Sequence, residues 1–246
     1  MLVKLVKYDF RAVAKIMIPI YFVMFVLSAV FALLLRIRMD SGIIFTLMST
    51  ALSVTMFGSG IGTIFCIASR FNKGLLKNEG YLSFALPVKT SHHILAKLIN
   101  AVIWSVMEGV AVFACLFIII LITSSSAELM ELFRDLMEFF GLIDKDIILG
   151  ILNFLSIMVT ELIASICLIY AGFAVAHLFT RHKTLIMAGF ILTVIVLRST
   201  VVSEVLYNNY LDFLDNQLLW YLQSLLPAAL YLVLTWFILD RRLNLE

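Results

Sequence analysis

The sequence predicts an all-α, polytopic membrane protein with six transmembrane helices and both termini in the cytoplasm. Hydrophobic residues make up 63% of the 246 residues and charged residues 14%, whereas soluble domains average about 45–50% apolar and about 25% charged. Six apolar windows are long enough to cross a bilayer, which takes about 20 helical residues. Lys and Arg also concentrate in the segments that lie on one side of the predicted membrane, as expected for cytoplasmic segments.

The apolar windows show no strand-like alternation, so helices are expected to satisfy the backbone within the hydrocarbon. They cover residues 16–35, 43–68, 94–122, 147–178, 184–203 and 218–239. Together they predict one transmembrane domain over residues 1–246, with no soluble domain beside it.

The basic residues decide the predicted orientation. Thirteen fall on the side of the termini: Lys4, Lys7, Arg11, Lys15, Arg70, Lys73, Lys77, Lys89, Lys97, Arg181, Lys183, Arg241 and Arg242. The opposite side has five: Arg36, Arg38, Arg134, Lys145 and Arg198. The positive-inside rule therefore predicts cytoplasmic termini.

Residues 1–15 precede the first window, and Lys4, Lys7, Arg11 and Lys15 recur there at helical spacing. Apolar residues occupy the opposite side of the same helix, which predicts an N-terminal interfacial helix.

The second predicted amphipathic element is the extracellular segment 123–146. Its apolar face is formed by Leu129, Leu132, Phe133, Leu136, Met137 and Phe140. Ser124 to Ser126 can cap its start, and a helix lying on the outer leaflet is expected. Residues 204–217 resemble a shorter interfacial piece. Both pieces fit either a cover over an exit pathway or aromatic anchors at the interface.

The cytoplasmic segment 70–92 is the longest polar interruption in the first half of the chain, yet its centre is half apolar. Tyr81, Leu82 and Phe84 need a surface to pack against, and the charges of Glu79 and Lys89 keep the segment out of lipid. A cytoplasmic protein partner is therefore expected there.

Two glutamates, Glu108 and Glu161, lie deep within the third and fourth windows. A charge at mid-membrane costs at least about 2.5 kcal/mol, so each needs a polar environment. One interpretation makes them candidates for a translocation pathway. The other is a hydrogen-bonded glutamate inside the bundle, with Asn153, Thr160 or Ser105 as partner.

Gly58 and Gly62 form a face of small residues in the second window. The surrounding sequence lacks the Lys-Ser/Thr of a phosphate-binding loop. The spacing instead predicts close helix packing, either within the chain or across a dimer.

No residues point to catalysis by this chain. The cluster of His177, Arg181, His182 and Lys183 lacks a third ligand for a metal, and there is no nucleotide-binding loop or nucleophile–base pair. We therefore expect a protein that is not an enzyme by itself, that binds no metal or cofactor, and that has no nucleic-acid partner.

Three short motifs and one longer one resemble the bacterial permeases of the ABC type 2 exporter family, especially the small peptide exporters. They are Lys7-Tyr8-Asp9-Phe10, Pro19-Ile20-Tyr21, Lys97-Leu98 and, most specifically, Asn78-Glu79-Gly80-Tyr81-Leu82-x-Phe84-x-Leu86-Pro87-Val88. Length, span count and segment placement extend the resemblance over the whole chain. The outer element after the third span is larger, and residues 204–217 are shorter, than this family usually has.

The resemblance implies a multi-pass subunit of the bacterial plasma membrane that pairs with a second permease copy. A separate ABC ATPase subunit would bind ATP and Mg²⁺, and an amphipathic peptide would be the substrate. The residues implied to couple to the ATPase are Asn78, Glu79, Gly80, Tyr81, Leu82, Phe84 and Pro87. A proton-coupled carrier independent of ATP, and a non-transporting sensor or immunity protein, remain alternatives.

Overall fold

The computed structural model describes residues 2–37, 42–76, 90–141, 144–179, 181–208 and 217–241. These residues form α-helices throughout, apart from short turns and one π-helical turn at Asn72–Leu76. The helices are α1 (Leu2–Arg36), α2 (Ile43–Phe71), α3 (Thr90–Thr123), α4 (Ser126–Gly141), α5 (Lys145–Ala176), α6 (Lys183–Asn208) and α7 (Gln217–Arg241).

Six of the described helical stretches are long and apolar enough to cross a membrane. They are Leu2–Arg36, Ile43–Leu76, Thr90–Thr123, Ile147–Ala176, Lys183–Val201 and Trp220–Arg241. The predicted fold class, all-α with six candidate spans, is confirmed, and the protein is a multi-pass membrane protein by helix length and hydropathy.

The N-terminal segment 1–15 is not set apart from the first span, because α1 runs without a break from Leu2 to Arg36. Its buried stripe begins at Val13 and continues through Met17 and Tyr21. This stripe therefore crosses the expected boundary at residue 15, while the interfacial placement of the N-terminal segment stays a prediction.

The helices divide into two compact units. One comprises Met1–Val6, Ile67–Val102 and Leu149–Glu246. Its core is an apolar cluster of Ile67, Phe71, Leu75, Leu76, Ile94, Leu98, Ala101, Ile166, Cys167, Tyr170 and Leu239. The rings of Phe71 and Tyr170 stack there with their centroids 4.0 Å apart. We call this set the basal cluster.

The other unit comprises Lys7–Cys66 and Ile103–Ile148. Its core contains Val13, Met17, Tyr21, Met24, Trp104, Ala111 and Cys115. Trp104 is 1% exposed and stacks on Phe10 at a centroid distance of 4.8 Å.

α4, within the segment 123–146, confirms the expected helix, and Ser125 caps it. The backbone N–H of Ser125 donates to Oε2 of Glu128 at 2.8 Å, and the N–H of Glu128 donates to Oγ of Ser125 at 3.3 Å. This reciprocal pair is a capping box. No residue of α4 is buried, so its apolar face is left uncovered by the residues that the structure describes.

Candidate functional site

The candidate functional site is an ion pair between α5 and α6. Nη2 of Arg198 donates to both carboxylate oxygens of Glu161, at 2.5 and 2.6 Å. Their side chains remain 26% and 33% exposed. Each residue lies 15 positions from the connection between the helices, which end at Ala176 and begin at Lys183. At about 1.5 Å per residue, both are about 22 Å along their helices from that connection. Glu161 lies near the middle of the candidate span Ile147–Ala176, whereas Arg198 lies three residues before the end of Lys183–Val201.

Both residues of the ion pair line a cavity of about 570 Å³. Five lining residues are apolar and five are polar: Leu168, Ile169, Ile191, Val194 and Ile195, and Glu161, Ser165, Arg198, Ser199 and Gln223. α5, α6 and α7 therefore supply a mixed wall, in the size range of small-ligand sites.

The helices α5 and α6 approach closely where Gly172 faces α6. A Cβ at position 172 would lie 3.0 Å from Cγ1 of Ile191 and 3.3 Å from Cγ of Met187. Glycine thus permits this contact, and it holds Ile191 at the cavity wall.

Hydroxyl groups join α5 to α7 beside the cavity. Ser224 donates to Oγ1 of Thr160 at 3.0 Å, and Ser156 is hydrogen-bonded to the hydroxyl of Tyr221. Each polar contact within a span holds neighbouring helices in register. Thr160 is therefore bonded to α7 and does not serve as a partner for either glutamate.

Neither protein-family models, nor curated proteins, nor solved structures match this chain.

Glu108 occupies a separate polar site in the other unit. Its Oε1 accepts a hydrogen bond from Ser59 at 2.6 Å, and its Oε2 accepts one from Thr63 at 2.9 Å. The Tyr21 hydroxyl is buried beside them, although no hydrogen bond of good geometry joins it to the carboxyl group. Glu108 is 9% exposed, and we call these residues the carboxyl clamp.

Glu108 is hydrogen-bonded, as one of the two interpretations of the sequence predicted, but its partners are not the predicted ones. The expected partners Asn153, Thr160 and Ser105 do not bond Glu108. Instead the donors come from α2, 49 and 45 residues earlier in the chain. Glu161 is likewise not held by these residues, since its partner is Arg198. Whether either glutamate lies on a translocation pathway stays a prediction.

Gly58 and Gly62 do not pack against another helix in the described part of this chain. A Cβ at either position would meet no atom within 4 Å. The neighbouring Ser59 and Thr63 face the core instead, because their hydroxyls bind Glu108. The described residues therefore provide no partner for this face, and its packing against another helix, within the chain or across a dimer, stays a prediction.

All seven residues expected to couple to an ATPase lie outside the described residues: Asn78, Glu79, Gly80, Tyr81, Leu82, Phe84 and Pro87. The ends of the segment 70–92 are described, and they are helical: helical structure continues to Leu76 and resumes at Thr90. Leu75 and Leu76 are buried in the basal cluster, which favours the helical extension beyond Phe71.

Of the basic cluster expected after α5, His177 has a described partner. Its Nε2 lies 3.1 Å from Oδ1 of Asn72, so it attaches the end of α5 to the π-helical turn. Among the residues that the structure describes, no group of three His, Cys, Asp or Glu is placed to hold a metal ion.

Proposed function

We propose that this chain is the transmembrane subunit of an ATP-driven ABC exporter in a bacterial plasma membrane. It would dimerise and bind a separate ABC ATPase subunit carrying ATP and Mg²⁺. The cargo would be an amphipathic peptide. The six candidate spans and the motif at residues 78–88 support this proposal.

The observation that carries the proposal is how the ends of the motif segment are anchored. Phe71, Leu75 and Leu76 before it, and Ile94 and Leu98 after it, are buried in one basal cluster. The cluster also includes residues of α5 and α7. A force on the intervening segment would therefore act on packed helices rather than on flexible connections.

Two further contacts stiffen the same region. The Tyr170 hydroxyl donates to the carbonyl of Lys97 at 3.1 Å, and Nδ2 of Asn100 donates to the carbonyl of Val6 at 3.0 Å. The start of α1 is thereby attached to α3 just beyond the motif. This agrees with an N-terminal helix seated near a coupling segment.

Replacing Glu79 and Tyr81 with Ala tests the proposal. The double variant should reduce ATP-dependent uptake of a labelled amphipathic peptide into inverted vesicles at least about tenfold, because it removes two side chains that are proposed to contact the ATPase. Lys73→Ala is the matched control, since Lys73 is exposed and lies outside the motif. Undiminished uptake by the double variant, or failure of the chain to copurify with any ATPase, would overturn the proposal.

A proton-coupled carrier is the second candidate, and the cavity beside Glu161 is the observation that favours it. Glu161→Gln should then abolish uptake driven by a pH gradient without ATP. Flux that persists in this variant at the wild-type rate would exclude the carrier.

A further inference from the structure

The cavity between α5, α6 and α7 combines an ion pair with an apolar wall. Arg198 and Glu161 neutralise one another at 2.5 Å, while Ile191, Val194 and Ile195 present alkyl groups from α6. A polar end and an apolar end therefore face the same space. This is the arrangement that an amphiphile requires.

The pair still has hydrogen-bonding capacity after it forms. A guanidinium group has five N–H donors, and Nη2 makes both contacts with Glu161. Among the described residues, neither Nη1 nor Nε of Arg198 has a hydrogen-bond partner. Three donors are therefore available to an anionic oxygen, while the lone pairs of the Glu161 carboxylate can accept from a cation.

Gln223 supplies a second acceptor at the wall of the cavity. Its Oε1 is buried and has no hydrogen-bond partner among the described residues. Rotation of the side chain can present this oxygen to a ligand. A buried acceptor without a donor is costly, so a ligand N–H would relieve it.

We propose that this cavity binds a zwitterionic amphiphile with a single alkyl chain, a phosphate and a primary ammonium group. The phosphate accepts hydrogen bonds from Arg198. The ammonium donates to Glu161 and Gln223, and the alkyl chain lies along the α6 side chains. A volume of about 570 Å³ is within the range of about 300–1,000 Å³ for one small ligand.

The net charge of the site selects the headgroup. Because Glu161 and Arg198 already cancel, a ligand of net charge would bring an uncompensated charge into an apolar span, which is expensive. A zwitterion matches both members of the pair at once.

The test measures equilibrium binding to the purified full chain in a non-ionic maltoside detergent, by scintillation proximity. The probe is tritiated lysophosphatidylethanolamine. The competitors are lysophosphatidylcholine, whose quaternary ammonium has no N–H, and lysophosphatidylglycerol, which has a net negative charge. We expect each competitor to bind at least about tenfold more weakly, the factor associated with a hydrogen bond to a charged group.

Variants of α6 distinguish binding of the lysolipid in this cavity from its non-specific partition into the detergent around the protein. Ile195→Trp fills the cavity and should weaken binding at least about tenfold. Leu192→Trp is the matched control, since Leu192 is exposed on the same helix and does not line the cavity. Exchanging the charges in the double variant Glu161→Arg, Arg198→Glu keeps the ion pair, and should bind more tightly than Glu161→Gln.

Equal affinity for the three lysolipids, or equal binding by Ile195→Trp and Leu192→Trp, would overturn the proposal. The assay contains no ATPase. Its outcome is therefore independent of the exporter proposal, and a failure of either one leaves the other in place.

Discussion

The carboxyl clamp gives the sharpest test of what stabilises the unit formed by Lys7–Cys66 and Ile103–Ile148. The double variant Ser59→Ala, Thr63→Val removes both hydroxyl donors to Glu108, which lie at 2.6 and 2.9 Å. A side-chain hydrogen bond within a membrane contributes about 0.6 kcal/mol on average and at most about 1.7 kcal/mol. Leaving a buried acceptor without a donor costs about 1–3 kcal/mol. We therefore expect a loss of about 1–3 kcal/mol in the free energy of unfolding.

The measurement is reversible unfolding in mixed micelles by titration with dodecyl sulfate, followed by far-UV circular dichroism. The control is Thr50→Val with Ser53→Ala. These residues lie on the same helix, are exposed, and donate to backbone carbonyls, so the control should change stability by less than about 0.5 kcal/mol.

A double-mutant cycle with Glu108→Leu isolates the interaction itself. In that background the same two substitutions should lose most of their effect, because the acceptor is gone. Equal losses in the presence and in the absence of the Glu108 carboxyl group would refute the clamp, as would a loss no larger than that of the control.

Three further predictions concern other parts of the molecule. Glu161→Gln should destabilise the protein by about 1–3 kcal/mol in micelle unfolding, because Arg198 loses the carboxylate that accepts its hydrogen bonds; exchanging the two charges should restore most of the loss. Trp104→Ala should cost about 3–5 kcal/mol through a core cavity, whereas Trp236→Ala, at a position 43% exposed, should cost clearly less. Ser125→Ala should destabilise the start of α4 by about 1 kcal/mol, measured as faster amide hydrogen exchange in its first turn and unchanged exchange in α5.

The helices were predictable because one physical requirement dominates their sequence. A span must be apolar over its whole length and must satisfy its own backbone, so the window at 43–68 predicts α2 to within a few residues at its start. Its end was missed, since Phe71, Leu75 and Leu76 extend the helix through tertiary burial. Hydropathy alone does not report such burial.

The partners of the two glutamates were less accessible to sequence reasoning. Ser59 and Thr63 stand next to the small residues Gly58 and Gly62, and nothing in their local spacing connects them to Glu108. For Glu161 a signal was present. Glu161 and Arg198 are equally far from the connection between two antiparallel spans, and opposite charges at matched depth favour a pair. The equal distances of these two residues from the connection therefore predict the ion pair.

The fifth span differs from the other five in its surroundings. None of the residues in its apolar window, within Lys183–Val201, is buried, and at 19 residues it is also the shortest candidate span. At about 1.5 Å per residue it is about 29 Å long, close to the roughly 30 Å thickness of a bilayer's hydrocarbon layer. Lipid acyl chains, rather than protein neighbours, would then solvate most of this helix and set its tilt. Membranes of different thickness would accordingly be expected to alter the geometry around Arg198 more than that of any clamp residue.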